Sequence, residues 1–196
     1  MSEQLRSTNT RSYRMGKRAD DVAATRQRIV EAAVELHGSV GPSRTTVAGI
    51  AEAAGVTRLT VYRHFPDDET LFNACSAHWF GTQRPADPQR WREVPDPADR
   101  VRLGLADLYR FYRDGLPMLR HIHRDRAELP VAQQRRLDDT DTRNRDALLD
   151  AFGADDRRRA ALVGHAVVFW TWHSLCVVQG LSEAEAVEAM VTLIMS

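Results

Sequence analysis

Several features are scarce in this chain of 196 residues, and each scarcity excludes something. Only two cysteines occur, Cys75 and Cys176, far apart, so a disulfide scaffold is excluded and a reducing, cytoplasmic setting is expected. Neither sign of charge is in excess. Lys+Arg and Asp+Glu each number 27, which excludes a basic tail protein and a highly charged disordered chain. Lysine is nearly absent; Lys17 stands beside twenty-six arginines, a matter of codon usage with no mechanism attached. There is no strand-like alternation and no internal repeat. Phosphate-loop, nucleophile-elbow and HExxH patterns are also missing, so nothing in the sequence supports an enzyme. Residues 1–17 are polar and Arg-rich without an apolar core, unlike a signal peptide.

What is present is an apolar content of 43%, enough to bury a real core in one domain or two small ones. The balanced charge hides an asymmetry. Through Pro66, ten Lys/Arg face six Asp/Glu, a balance of +4; from Asp67 onward, seventeen face twenty-one, a balance of −4. An N-terminal part that meets a polyanion and a C-terminal part that does not would explain that split.

Residues 1–19 read as a flexible basic arm with Arg6, Arg11, Arg14, Lys17 and Arg18. From Asp20 the spacing of Ile29, Ala33, Leu36 and Val40 predicts a helix, stopped by Gly38 and Gly41. Thr46 is placed to cap a short helix carrying Val47, Ile50, Ala51 and Ala54, which Gly55 closes. Thr57 then caps another, carrying Leu59, Val61 and Tyr62 to Phe65, and a further helix starts after Pro66 at Asp67. Two short helices joined by a glycine-containing turn form a helix-turn-helix. Residues 81–95 read as a loop. Asp96-Pro97 with Asp99 marks a helix start, Met118, Leu119 and Ile122 belong to another helix, and Ser182 with Glu185 fits a capping box for a last one. Ala160 to Val178 carries no Asp, Glu, Lys or Arg over nineteen residues. That stretch is long enough to cross a bilayer, but its two histidines, its Ser and Thr and the amphipathic helix after it fit poorly with a lipid-facing span, so no membrane partner is expected.

Thr45-Thr46-Val47, Ile50-Ala51, Ala54-Gly55-Val56 and Tyr62-Arg63-His64-Phe65-Pro66 together resemble the DNA-binding domain of the tetracycline-repressor (TetR) family. The likeness covers about residues 22–82, with its core at residues 45–64. It implies an all-α fold: an N-terminal three-helix helix-turn-helix DNA-binding domain, then a C-terminal helical domain, residues 83–196, for ligand binding and dimerisation.

The second helix of such a unit lies in the major groove and presents its N-terminal residues to base edges. Here those are Thr57, Arg58, Leu59 and Thr60. Arg58 can form two bonds to a guanine edge, worth about 1–3 kcal/mol of discrimination. Thr46 and Thr57 sit at helix starts that favour an anion, although both would be good caps without DNA. Tyr62 and His64 resemble the family's phosphate contacts, and Arg44 is placed to touch backbone or minor groove. His37 and Arg63 are expected to be structural or solvent-facing. Two positions depart from the family. Leu59 stands where many relatives have glycine, and Asp68, within Asp67-Asp68-Glu69, replaces a common lysine. The arm could supply the missing cation.

In the C-terminal half, placing Ala160–Val178 on one continuous helix separates two faces. One carries Leu162, His165, Phe169, Trp170, Trp172, His173 and Cys176; the other carries Gly164, Val167, Val168, Thr171, Ser174, Leu175 and Val178. The aromatic face is expected to line a ligand pocket. The small face, with Val187, Met190 and Ile194 of the last helix, is expected to form a dimer interface. The reverse assignment stays open on the pattern alone. Further pocket candidates are Leu105, Leu108, Tyr109, Tyr112, Met118, His121, Ile122, Leu149 and Phe152, each also at home in a plain core. His121-x-His123 and Cys75-x-x-His78 do not make a metal site, and no cofactor is expected. The sequence thus reads as a dimeric regulator of a near-palindromic DNA operator, a repressor released by a small molecule of unknown identity. The alternative is a small-molecule-binding or scaffold protein of the same fold that has lost operator binding.

Overall fold

The computed structural model describes residues 2–152 and 156–196, with side chains from Lys17 onward. The described residues form helices and turns with no strand, in two compact units that divide between Trp79 and Phe80.

The N-terminal unit begins with α1, Ser2–Ser39. The stretch read as an arm therefore has a helical backbone continuous with α1. It contains no proline and only Gly16 as a breaker, so local propensity does not stop the helix there. The side chains of Arg6, Arg11 and Arg14 lie outside the described residues. One stripe of α1, Ile29, Val30, Ala32 and Ala33, is buried. The chain leaves α1 through Gly41, whose φ of 98° suits glycine. It then enters α2, Val47–Ala53, where Thr46 accepts a hydrogen bond from the Gly49 N–H as N-cap. Gly55, at φ 65°, makes the turn to α3, Arg58–His64. A Cβ there would meet nothing within 4 Å, so the turn requires the backbone sign and not the space. Ile50, Ala51, Ala54, Val61 and Phe65 close on the α1 stripe, and α4, Asp68–Gly81, adds Leu71 and Cys75.

The C-terminal unit starts with a helix where the sequence reads as a loop. Asp87 caps this short element, α5, Pro88–Arg92, which drives Trp91 fully inside. Proline at the first helical position and a capping carboxylate are the same signal that starts the next helix at Asp96-Pro97. That helix is α6, Pro97–Asp114, followed by α7, Leu116–Arg124, and α8, Val131–Leu149. Gly104 of α6 permits close packing: a Cβ there would sit 2.5 Å from the Leu148 side chain and 3.2 Å from the Trp91 ring.

The expected continuous helix over Ala160–Val178 is not formed. Helix α9, Arg157–Ala166, ends at a 68° bend, and α10, Phe169–Trp172, runs directly into a π-helical turn, His173–Val178. Three hydroxyls donate to carbonyls at the bend. Thr171 donates to the His165 carbonyl (2.7 Å), Tyr109 to Ala166 (3.0 Å) and Tyr112 to Val167 (2.6 Å). Buried carbonyls at a helix end demand such partners. Among the described residues no single helix is long and apolar enough to cross a membrane. The last helix, α11, Glu183–Met195, opens with the expected Ser182–Glu185 capping box.

Candidate nucleic-acid interface

Helix α3 is built as an inner anchor and an outer face. Val61 and Phe65 are buried, and the Arg26 guanidinium lies 4.7 Å from the Phe65 ring centroid. Arg58, Leu59, Tyr62 and Arg63 point outward. Leu59 is 76% exposed and Tyr62 52%. No hydrogen bond or ion pair among the described residues holds the Arg58 guanidinium. Thr57 accepts the Thr60 N–H at 3.2 Å, and the two hydroxyls lie 2.9 Å apart, so the first turn is fixed by its own cap. Thr46 and Arg44 are exposed, and His64 is half-buried against Phe65.

The acidic cluster after Pro66 has a local task. Hydrogen bonds from the Thr70 side chain and then from the Thr70 N–H (2.6 Å) hold the Asp67 carboxyl below the usual range. Asp68 and Glu69 occupy the first turn of α4, where a helix N-terminus favours negative charge. His37 is buried and stacks on Phe72 with centroids 5.2 Å apart. Burial lowers its pKa to about 4, so it is neutral at pH 7 and adds no charge to this unit. Burial likewise pushes the Cys75 thiol up to about 12.

In the C-terminal unit the pocket candidates separate into two groups. Tyr112, Phe169, Trp172 and His173 come together, with Tyr112 5.5 Å from Phe169 and 5.9 Å from Trp172 between centroids. Leu105, Leu108, Tyr109, Met118 and His121 are buried, Ile122 is half-buried, and Trp170 turns outward at 42% exposure. His123, absent from the pocket candidates, stacks on Phe169 at 4.6 Å, and burial lowers its pKa to about 4. The aromatic residues of α10 give the only sequence hint of that contact, because the bend that brings Phe169 onto α7 is not periodic. The Trp172 indole N–H is buried without a hydrogen-bond partner among the described residues. Leu149 and Phe152 instead line a separate cleft of about 290 Å³ with Asp146, Asp150 and Arg159.

The expected dimer face is corrected by burial. Val167, Thr171, Val187 and Ile194 lie inside their own unit, so they serve its core. Gly164, Leu175 and Met190 are half-buried, and Ser174 is exposed. Besides Val168 and Trp170, the apolar side chains left outward in this region are Val177, Val178, Leu193 and Met195. For Val167 and Thr171 the cause is the bend, which ends the regular rotation of α9 at Ala166; Val187 and Ile194 form the inner face of α11.

The two short helices thus form a helix-turn-helix whose second helix is held from behind by Val61 and its C-cap Phe65, with Arg58 and Arg63 outward. Residues 29–75, which span the helix-turn-helix, match the family model for bacterial regulatory proteins of the tetR family. Over 57 residues it is 42% identical to the HTH-type transcriptional regulator AcrR of Shigella flexneri, covering 29% of this chain and 26% of that one. Over 49 residues it is 45% identical to the nucleoid occlusion factor SlmA of Marinobacter nauticus, covering 25% of each. The chain thus spans about a quarter of the length of these curated relatives. Among solved structures, it matches the TetR-family transcriptional regulator PfmR of Thermus thermophilus with a TM-score of 0.61 at 20% identity, over 85% of this chain and 96% of that one. A TetR-like regulator of a Rhodococcus species matches with a TM-score of 0.62 at 19% identity, over 88% and 94%. These two likenesses establish the fold of the chain beyond the helix-turn-helix.

Proposed function

We propose that this protein is a ligand-responsive transcriptional regulator, a repressor, that binds a near-palindromic operator in the cytoplasm as a dimer and is not an enzyme. The observation that carries the reading is the outward face of α3, where Arg58, Leu59, Tyr62 and Arg63 stand free while Val61 and Phe65 hold the helix from behind. Arg58 reads a base edge; Thr46, Thr57, Tyr62 and His64 contact phosphate, with Arg44 beside them. Two such helices in one dimer would meet successive major grooves about 34–36 Å apart.

The dimer surface in this reading is the outward set Val168, Trp170, Val177, Val178, Leu193 and Met195, apolar groups that a second copy would remove from water. The effector site is the aromatic group around Tyr112, Phe169 and Trp172, supported by the unpaired Trp172 indole N–H, a donor that a ligand acceptor would satisfy. Releasing DNA 100-fold requires a coupling of about 2.7 kcal/mol between the two sites. The alternative, a protein of this fold without operator binding, draws on the acidic run Asp67–Glu69; its capping task in α4 weakens that argument. A gel shift against the DNA flanking the protein's own gene separates the readings: a discrete, competable complex supports the regulator, and no complex at micromolar protein overturns it.

A further inference from the structure

Leu59 is the most exposed of the large apolar side chains among the described residues. A single exposed leucine is ordinary on a protein surface. This one is not on an ordinary surface: it is the second residue of α3, directly after Arg58, on the turn that meets base edges in a helix-turn-helix. The neighbouring polar groups are already assigned. The Thr57 oxygen accepts the Thr60 N–H, and the Thr57 and Thr60 hydroxyls are bonded to each other. Of the first three helical residues, Arg58 offers free donors and Leu59 offers neither donor nor acceptor.

The major-groove edge of unmodified DNA displays one apolar group, the C5-methyl of thymine. A leucine pressed against a cytosine or adenine amino group would strip its water and return no hydrogen bond, which costs free energy. The same leucine against the thymine methyl buries both from water. Successive residues on a helix point about 100° apart, so Leu59 and Arg58 address different bases. We propose that Leu59 is a specificity-determining residue that selects a thymine in each operator half-site through its C5-methyl, beside the guanine edge taken by Arg58. This rests on the DNA-binding reading above.

The test uses the full-length chain. Duplexes that bind are selected from a random pool, and each thymine of the selected half-site is replaced in turn by deoxyuridine, which removes only the methyl. Affinities are measured for the wild type and for Leu59→Ala. At one thymine per half-site the wild type is expected to bind about fourfold more weakly after replacement, equivalent to about 0.8 kcal/mol. Replacement in both half-sites is expected to weaken binding about sixteenfold, the product of two such losses. Leu59→Ala is expected to keep the wild-type melting temperature, since the side chain is exposed, and to bind the thymine and uracil duplexes equally. Wild-type affinity unchanged by uracil at every position overturns the proposal while leaving DNA binding intact, and needs no variant to fold. Uracil sensitivity that persists in Leu59→Ala overturns it too. If no duplex is selected at all, the regulator reading fails and the proposal falls with it.

Discussion

In the N-terminal unit the buried core is Ile29, Val30, Ile50, Val61 and Phe65 with small alanines; in the C-terminal unit Trp91, Tyr109, Tyr112, Phe169 and Trp172 fill that place. The first set carries no polar tip, so it closes with no hydrogen bonds to satisfy. Each residue of the second except Phe169 carries a donor, and among the described residues all of these but the Trp172 indole N–H find an acceptor inside. Trp91 finds Asp107 (3.1 Å), and the two tyrosines find the carbonyls of the α9 bend. Burial alone would raise the Asp107 carboxyl, but hydrogen bonds from Arg110, the Asp87 N–H and Trp91 hold it below its ordinary value. The aliphatic unit keeps His37 inside and presents its other described polar side chains largely outward; the aromatic unit ties many of its own inward, across long stretches of sequence.

The sharpest way to press that contrast is Trp91→Ala. It removes a fully buried ring that also packs against Gly104, and is expected to cost about 3–5 kcal/mol in urea unfolding. A loss under about 1 kcal/mol would mean the aromatic core does not hold its unit together. Next comes Tyr112→Phe, which keeps the ring and strands the Val167 carbonyl. We expect a loss of about 1–3 kcal/mol. A neutral result would show that the bend at Val167 stands without the hydroxyl.

Acid affects both units in the same direction and so tests where they are alike. The folded His37 imidazole has a pKa of about 4 against 6.5 in the unfolded chain. Between those values the unfolded state binds more protons, so stability is intact above about pH 6.5 and falls as pH drops toward 4. From about pH 7 to about pH 5, His37 is expected to cost about 2 kcal/mol. His123, whose pKa burial also lowers to about 4, contributes with the same sign. His37→Phe should flatten the pH dependence; an equally steep profile in that variant would assign it elsewhere. The smallest effect expected is that of Thr57→Ala, which removes the α3 cap and should cost about 1 kcal/mol of stability in the aliphatic unit. No change in the melting curve would show that α3 does not depend on that cap.

The same contrast explains what is legible in the sequence. The caps at Thr46, Thr57, Asp96 and Ser182 and the turn at Gly55 are local signals, set by one residue and its next few neighbours, and they stand where the sequence places them. The outward face of α3 follows from its register against Val61 and Phe65. Helix α5 carries the same Asp-Pro signal but is only five residues long, too short for a periodic pattern. The bend after Ala166 has no local mark: Val167 and Val168 are neither glycine nor proline, and the groups that stabilise it include Tyr109 and Tyr112, more than fifty residues earlier in the chain. The burial of Val167 and Thr171 at the bend depends on that long-range pairing, which periodicity alone does not show.

Arg58, through which α3 is proposed to meet DNA, makes no hydrogen bond or ion pair among the described residues of its own unit. The direct measurement is the dissociation constant of wild type and Arg58→Ala for the selected operator, alongside their melting temperatures. Losing a base contact worth about 1–3 kcal/mol predicts affinity weakened roughly 5- to 150-fold with unchanged melting. Equal affinity of the two proteins for every DNA tested would contradict the account.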